Sequence, residues 1–132
     1  MTKRSQNFNE AMVSLYHLIS LADGEISQRE LEMCTLMRKT EEINDGSFNE
    51  IIKRFDRKTH SEIYKTCVGL LRTCPVSEQI ACLAWMRYIA NCDGFMAREE
   101  WSLIFKIYKK ELNLNLNDIM NYELPLYVTN NH

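Results

Sequence analysis

Leu18-Ile19-Ser20-Leu21-Ala22-Asp23-Gly24-Glu25-Ile26-Ser27-Gln28-Arg29-Glu30 is an apolar helical stripe running into an Asp-Gly turn, followed by the opening of a second helix. Upstream, Phe8, Ala11, Met12, Leu15, Leu18, Ile19 and Ala22 recur at helical spacing, which predicts a helix over 8–22 with Asn7 as its cap. Downstream, Ser27 and Glu30 stand three apart as in a capping box, in which the hydroxyl takes a first-turn amide and the carboxylate reaches back. The helix they open should bury Leu31, Cys34 and Met37, with Thr35 at the edge of that face.

Seventy residues on, the pattern returns. Leu18–Lys39 laid over Tyr88–Lys109 gives five identities in 22 positions: Ile19/Ile89, Asp23/Asp93, Gly24/Gly94, Glu30/Glu100 and Lys39/Lys109. The same offset sets Asn7 over Ser77 and Ala11 over Ala81. The expected architecture is therefore all-α: one domain over 1–132 of about seven helices, with two pseudo-symmetric helix-turn-helix units near 8–43 and 78–122. A helical connector, 44–75, and an apolar tail, 123–132, complete it.

In the connector, Asn44-Asp45-Gly46 interrupts the pattern, and the capping boxes Ser47–Glu50 and Thr59–Glu62 predict helices to about Phe55 and Thr73. Pro75 forces a boundary, after which Ser77 is expected to cap a helix over 78–92 that is apolar nearly all round and hence central. A sixth helix over 98–112 carries Trp101, Ile104, Phe105 and Tyr108, and Asn115 or Asn117 opens a short seventh. Beyond Pro125, the apolar tail either docks on the core or swaps onto a neighbour.

Composition narrows the function classes. Sixteen Lys and Arg against 18 Asp and Glu leave a net charge of -2, with no general field for nucleic acid. Cys34, Cys67, Cys74, Cys82 and Cys92 form no C-x-x-C pair and lie mostly within apolar helical stretches, so they read as reduced core residues. Residues 1–10 lack the apolar core of a signal peptide, and no run is long enough to span a bilayer, which predicts a cytoplasmic protein. No G-x-S-x-G, Gly-rich phosphate loop or H-E-x-x-H occurs, and His17 falls on a helix and His60 inside a capping box, so no catalytic residues are assigned. The basic stretch Lys53, Arg54, Arg57, Lys58 and Lys65 could meet an acidic partner or a membrane surface, but its simplest reading is a solvated face. Trp85 and Trp101 are expected in the core.

The acidic turns concentrate the repeated polar residues. Asp23 to Glu30 resembles the second half of an EF-hand loop, but its first and third ligand positions would be Ile19 and Leu21, and in the second unit Ile89 and Asn91. Gly24 and Gly94 can end helices, and the acids can cap the helices that follow, with no ligand at all. Yet the oxygens of Asp23, Glu30, Asp93 and Glu100, with Glu25 and Glu99 as second choices, would suit Ca²⁺, Mg²⁺ or Mn²⁺ if they converge.

The run A-D-G-E-I-S-Q-R-E-L, from Ala22 to Leu31, resembles the repeat of the TerB-like tellurite-resistance family, and 92–101 is a weaker echo where that family's second turn would fall. The resemblance spans about Phe8 to Tyr122. It implies an all-helical fold of two pseudo-symmetric halves, a role in stress or tellurite response and a divalent metal at the acidic turns, with Asp23, Glu30, Asp93 and Glu100 as matching positions. Phe95 and Ala97 depart from it where the first unit has Glu25 and Ser27. The implied partners are other proteins of a stress-response system. The competing reading is a metal-free interaction module or scaffold.

Overall fold

A computed structural model describes residues 4–22, 27–92 and 98–124. Among them are seven α-helices and no strand: α1 (Phe8–Ala22), α2 (Gln28–Thr40), α3 (Asp45–Lys53), α4 (His60–Thr73), α5 (Val76–Ala90), α6 (Arg98–Phe105), continued by a π-helical segment (Lys106–Glu111), and α7 (Leu116–Met120). None of the described helices is long and apolar enough to cross a membrane.

α1 lies at the centre. Its stripe is closed to solvent at Phe8, Ala11, Met12, Leu15 and Leu18, and α3, α4, α5 and α6 all pack on it. α5 is the second core helix, with Ala81, Cys82, Leu83, Trp85 and Met86 fully buried and α2 and α7 against it. The segment read as a connector is no mere linker, because its α4 makes the most extensive packing with α1 and supplies Ile63, Cys67 and Leu71 to the core. Lys53, Arg54, Arg57, Lys58 and Lys65 are exposed, as a solvated face would be, with Arg54 paired to Glu10 at 2.8 Å and to Glu50 at 3.1 Å.

The helix starts follow capping chemistry, with two corrections. Ser27 and Thr59 make complete capping boxes with Glu30 and Glu62. α3, however, opens at Asp45, where the Asn44 side chain accepts from the Ser47 N–H at 2.8 Å, so Asn-Asp-Gly begins the helix instead of breaking the chain and Ser47 is already inside it. α5 starts at Val76 with Pro75 as the residue before it, so Ser77 is not the cap. Proline fits there because a helix's first residues need no N–H donor.

Three apolar residues expected inside face solvent. Leu31 is 46% exposed, and Trp101 and Phe105 are each 38% exposed. Thr35 is exposed as well, leaving Cys34 and Met37 as the buried face of α2. The sixth helix reaches 111 only by changing its winding: over Lys106–Glu111 it becomes π-helical, and the Leu112 N–H bonds the Ile107 carbonyl. The wider turn lets consecutive Ile107 and Tyr108 both face inward while Lys109 and Lys110 both stay in water. Asn113, at φ 53°, then turns the chain toward α7, which Asn115 caps.

All five cysteines are free; Cys34, Cys67, Cys74 and Cys82 are buried and Cys92 is half-buried. Burial raises the thiol pKa of both Cys67 and Cys82.

Candidate functional site

Asp23, Gly24, Glu25, Asp93 and Gly94 lie outside the described residues, so the site is built from what flanks them. Glu30 stands in the first turn of α2, where its Oε1 accepts the Ser27 N–H at 2.9 Å while Ser27 Oγ accepts the Glu30 N–H at 3.1 Å. One carboxylate oxygen is thus engaged in capping. Across from it on α1 is Tyr16, whose hydroxyl pKa is pushed up to about 12, first by burial, then by Cys34, with the Glu30 charge adding a smaller push.

Glu100 holds the matching position in α6 but is 2% exposed. A carboxylate so far from water needs compensation. Its neighbour Glu99 instead reaches the surface, in a groove of about 440 Å³ with His60, Arg98, Ser102, Leu103 and Lys106. Residues one apart on a helix point about 100° apart, so Glu99 and Glu100 serve different surroundings. Among the described residues no three Asp, Glu, His or Cys side chains come together as a metal site. The described half of each turn therefore supplies one glutamate, Glu30 in a cap and Glu100 in the interior, and any further ligands would have to come from the Asp-Gly segments.

The start of α2 and the end of α5 enclose a notch of about 290 Å³ lined by Arg29, Met33, Arg87, Tyr88, Asn91 and Cys92. The Tyr88 ring is set edge-on against buried Trp85, centroids 6.3 Å apart at 84°. Repeats cannot reveal this cleft, because its arginines are not repeated: the positions 70 residues from Arg29 and Arg87 are Glu99 and His17.

Two further carboxylates were not singled out by the sequence. Glu41, just past α2, is 4% exposed in its side chain and takes Arg4 Nε and Nη2 at 3.1 Å each and Trp85 Nε1 at 2.8 Å. Arg4 Nη2 also reaches the Tyr122 hydroxyl at 3.2 Å, and its guanidinium lies 4.5 Å over the Phe8 ring. Glu78, 6% exposed in α5, accepts the Ser5 N–H at 2.7 Å and the Ser5 hydroxyl. These networks fasten the residues preceding α1 to the core, which is a structural task. The signal for Glu78 was its helix: α5 is apolar on every side, so a polar residue within it has to be buried with a partner.

Neither a curated protein nor a solved structure matches the chain. The family model of the tellurite resistance protein TerB matches residues 9–121, from α1 through α7, and the chain belongs to that family.

Proposed function

We propose that this tellurite-resistance-family domain acts by binding and not by turnover, holding a divalent cation such as Ca²⁺, Mg²⁺ or Mn²⁺ at its acidic turns as part of a cytoplasmic stress response. The observation that carries the reading is Glu100, a carboxylate 2% exposed in the helical turn directly after the Asp93-Gly94 segment. Asp93 and Glu100, with Asp23 and Glu30 in the first unit, are the ligands proposed. The packing of α1 on α6 and of α2 on α5 supports two related units, since each unit's first helix meets the other's second. So do Cys34/Ile104 and Met37/Ile107, buried pairs 70 residues apart.

Calorimetric titration with each cation, in the parent and in Asp23→Asn and Asp93→Asn variants, tests the proposal. Asn preserves the turn, so stability should change by about 1 kcal/mol or less while affinity falls at least about tenfold. A parent that binds no cation at about millimolar concentration, or a double variant that binds as well as the parent, defeats it.

One observation favours a metal-free interaction module instead: Leu31 and Trp101, 70 residues apart, are both large, apolar and exposed. Partner capture that survives chelation and is lost in Leu31→Ser and Trp101→Ser would favour this second reading.

A further inference from the structure

Trp101 and Phe105 are four residues apart on α6, a spacing that sets side chains on one helix face, and each is 38% exposed. Buried Tyr108 backs both, its ring centroid 6.4 Å from that of Trp101 and 5.5 Å from that of Phe105. Arg98 and Ser102, at the same spacing, run beside them, and Lys106 follows where the π-helical winding begins. Toward α4 this row meets a groove of about 440 Å³, walled by His60 on one side and by Glu99, Leu103 and Lys106 on the other. We propose that this face of α6 is a docking surface for an acidic segment of a partner protein, whose apolar side chains cover Trp101 and Phe105 and whose carboxylates meet Arg98, Lys106 and Lys109. The inference rests on the interaction reading given above and adds the chemistry of the partner; it does not involve a cation at the turns.

Charge carries the argument. The whole chain has a net charge of -2, yet the exposed side of α6 and its π-helical continuation holds Arg98, Lys106, Lys109 and Lys110 against Glu99. Arg98, Lys109 and Lys110 form no ion pair among the described residues, whereas Arg4, Arg38, Arg54 and Arg72 are each seated on a carboxylate. Lys106 Nζ lies 4.6 Å over the Tyr64 ring, a contact that fixes the ammonium beside the groove and leaves its charge uncompensated. The acids of the same stretch do not supply that compensation. Glu100 is buried, Glu111 already accepts from Tyr64 at 2.7 Å and Arg72 at 3.0 Å, and Glu99 is in no ion pair among the described residues. The helix dipole favours Lys109 and Lys110 near the carbonyl end, but it disfavours Arg98 at the amide end of α6.

The shape and composition of the face select a protein partner. Paired aromatic rings beside arginine, with a basic rim, are the residues that anchor protein interfaces, and apolar anchors three and four apart are what a docked helix presents. A groove between α4 and α6 admits side chains that a flat bilayer surface cannot insert, and Glu99 within it opposes phosphate.

The test uses a fluorescein-labelled peptide of about 15 residues, glutamate except for leucines three and four apart, titrated with the full chain in EDTA and followed by fluorescence anisotropy. Saturable one-to-one binding with a Kd of about 10–100 µM is expected, weakening at least about tenfold when salt is raised from about 50 to about 500 mM. Trp101→Ser, Phe105→Ser, Arg98→Glu and Lys106→Glu should each weaken it at least about fivefold, while Lys39→Glu and Leu31→Ser on α2 stay within about twofold of the parent. Melting curves check the variants, and should Trp101→Ser not fold, Phe105→Ser and the two charge reversals carry the comparison. No saturable binding by about 1 mM overturns the proposal. So does Lys39→Glu weakening binding as much as Lys106→Glu, which would mean diffuse charge, or an all-glutamate peptide binding as tightly, which would leave the aromatic rings without a role. Binding to phosphatidylglycerol vesicles but not to the peptide overturns it in favour of a membrane surface. Partner capture that depends on Leu31, found together with a peptide that does not bind, overturns the acidic-partner inference and leaves the interaction reading standing.

Discussion

Replacing Arg4 by Met should destabilise the domain by about 2–3 kcal/mol, which is large for a residue lying outside the region matched to its family. Met keeps an apolar stem over Phe8 but removes the guanidinium, leaving the Glu41 carboxylate, 4% exposed, with the Trp85 N–H as its remaining donor among the described residues. Breaking a fully buried pair in this way costs about 3–5 kcal/mol. The Arg4 side chain is 27% exposed, so water already screens part of the charge and can enter once the guanidinium is gone, lowering that figure to about 2 kcal/mol. The lost cation–π contact adds about 0.5–1 kcal/mol. For a domain of this size the sum lowers Tm by roughly 8–10 °C. Urea denaturation of Arg4→Met, Glu41→Leu and the double variant measures it, and the double variant should lose at least about 1 kcal/mol less than the two singles together, because removing both charges leaves none stranded. An Arg4→Met variant within about 0.5 kcal/mol of the parent, or a strictly additive cycle, would refute the argument.

Capping offers a paired comparison: Ser27→Ala and Asn44→Ala should each cost about 1 kcal/mol in urea denaturation, while Ser47→Ala and Ser77→Ala, inside their helices, should be close to neutral. Burial lowers the pKa of His17, which is stacked on Phe55 with ring centroids 5.7 Å apart, although Asp56 opposes the shift. Because the folded value lies below the ordinary 6.5, its contribution is whole above 6.5 and is lost as the pH falls through the folded value. Stability measured from pH 7.5 to 5 should therefore decline less in His17→Leu than in the parent; equal declines would remove His17 from the account. A thiol reagent should modify Cys92 first and Cys67 and Cys82 last, and simultaneous labelling of all three in the native state would contradict their burial.

Local signals were readable wherever a local interaction decides the outcome. α1 spans the predicted 8–22 because its stripe is long and its one breaker pair follows it; Ser27 and Thr59 cap because nothing competes for their amides. Where two patterns overlapped, reading the chain alone chose wrongly. Asn44 and Ser47 both precede an amide three residues on, and the structure favours Asn44, beside which Arg38 bonds Asp45 at 2.7 Å from α2. Leu31 and Trp101 match apolar periodicity, yet each sits at the solvent edge of its helix, a position decided by the packing of α2 on α5 and of α6 on α1. The π-helical winding of Lys106–Glu111 likewise answers a tertiary demand, burial of both Ile107 and Tyr108.

The candidate site was legible only on the side that repeats. Comparing a chain with itself finds what recurs at a fixed offset, and what recurs first of all is what folding requires: the stripe, the turn and the cap. Asp23, Glu30, Asp93 and Glu100 came from that comparison, and so Glu30 is found in a capping box. Residues that do not recur escape such a search. Arg29, Arg87 and Glu78 are of this kind, with Glu99, His17 and Phe8 at the offset positions, whereas Glu41 does recur, as Glu111. Glu111 shows how far a shared position can drift: it accepts from Tyr64 at 2.7 Å and Arg72 at 3.0 Å on α4, whereas Glu41 anchors Arg4 and Trp85. Glu41, just past α2, and Glu111, closing the π-helical continuation of α6, each fasten their helix to a different neighbour. The same residue at the same offset thus does different work, so recurrence along the chain marks a position and not a contact.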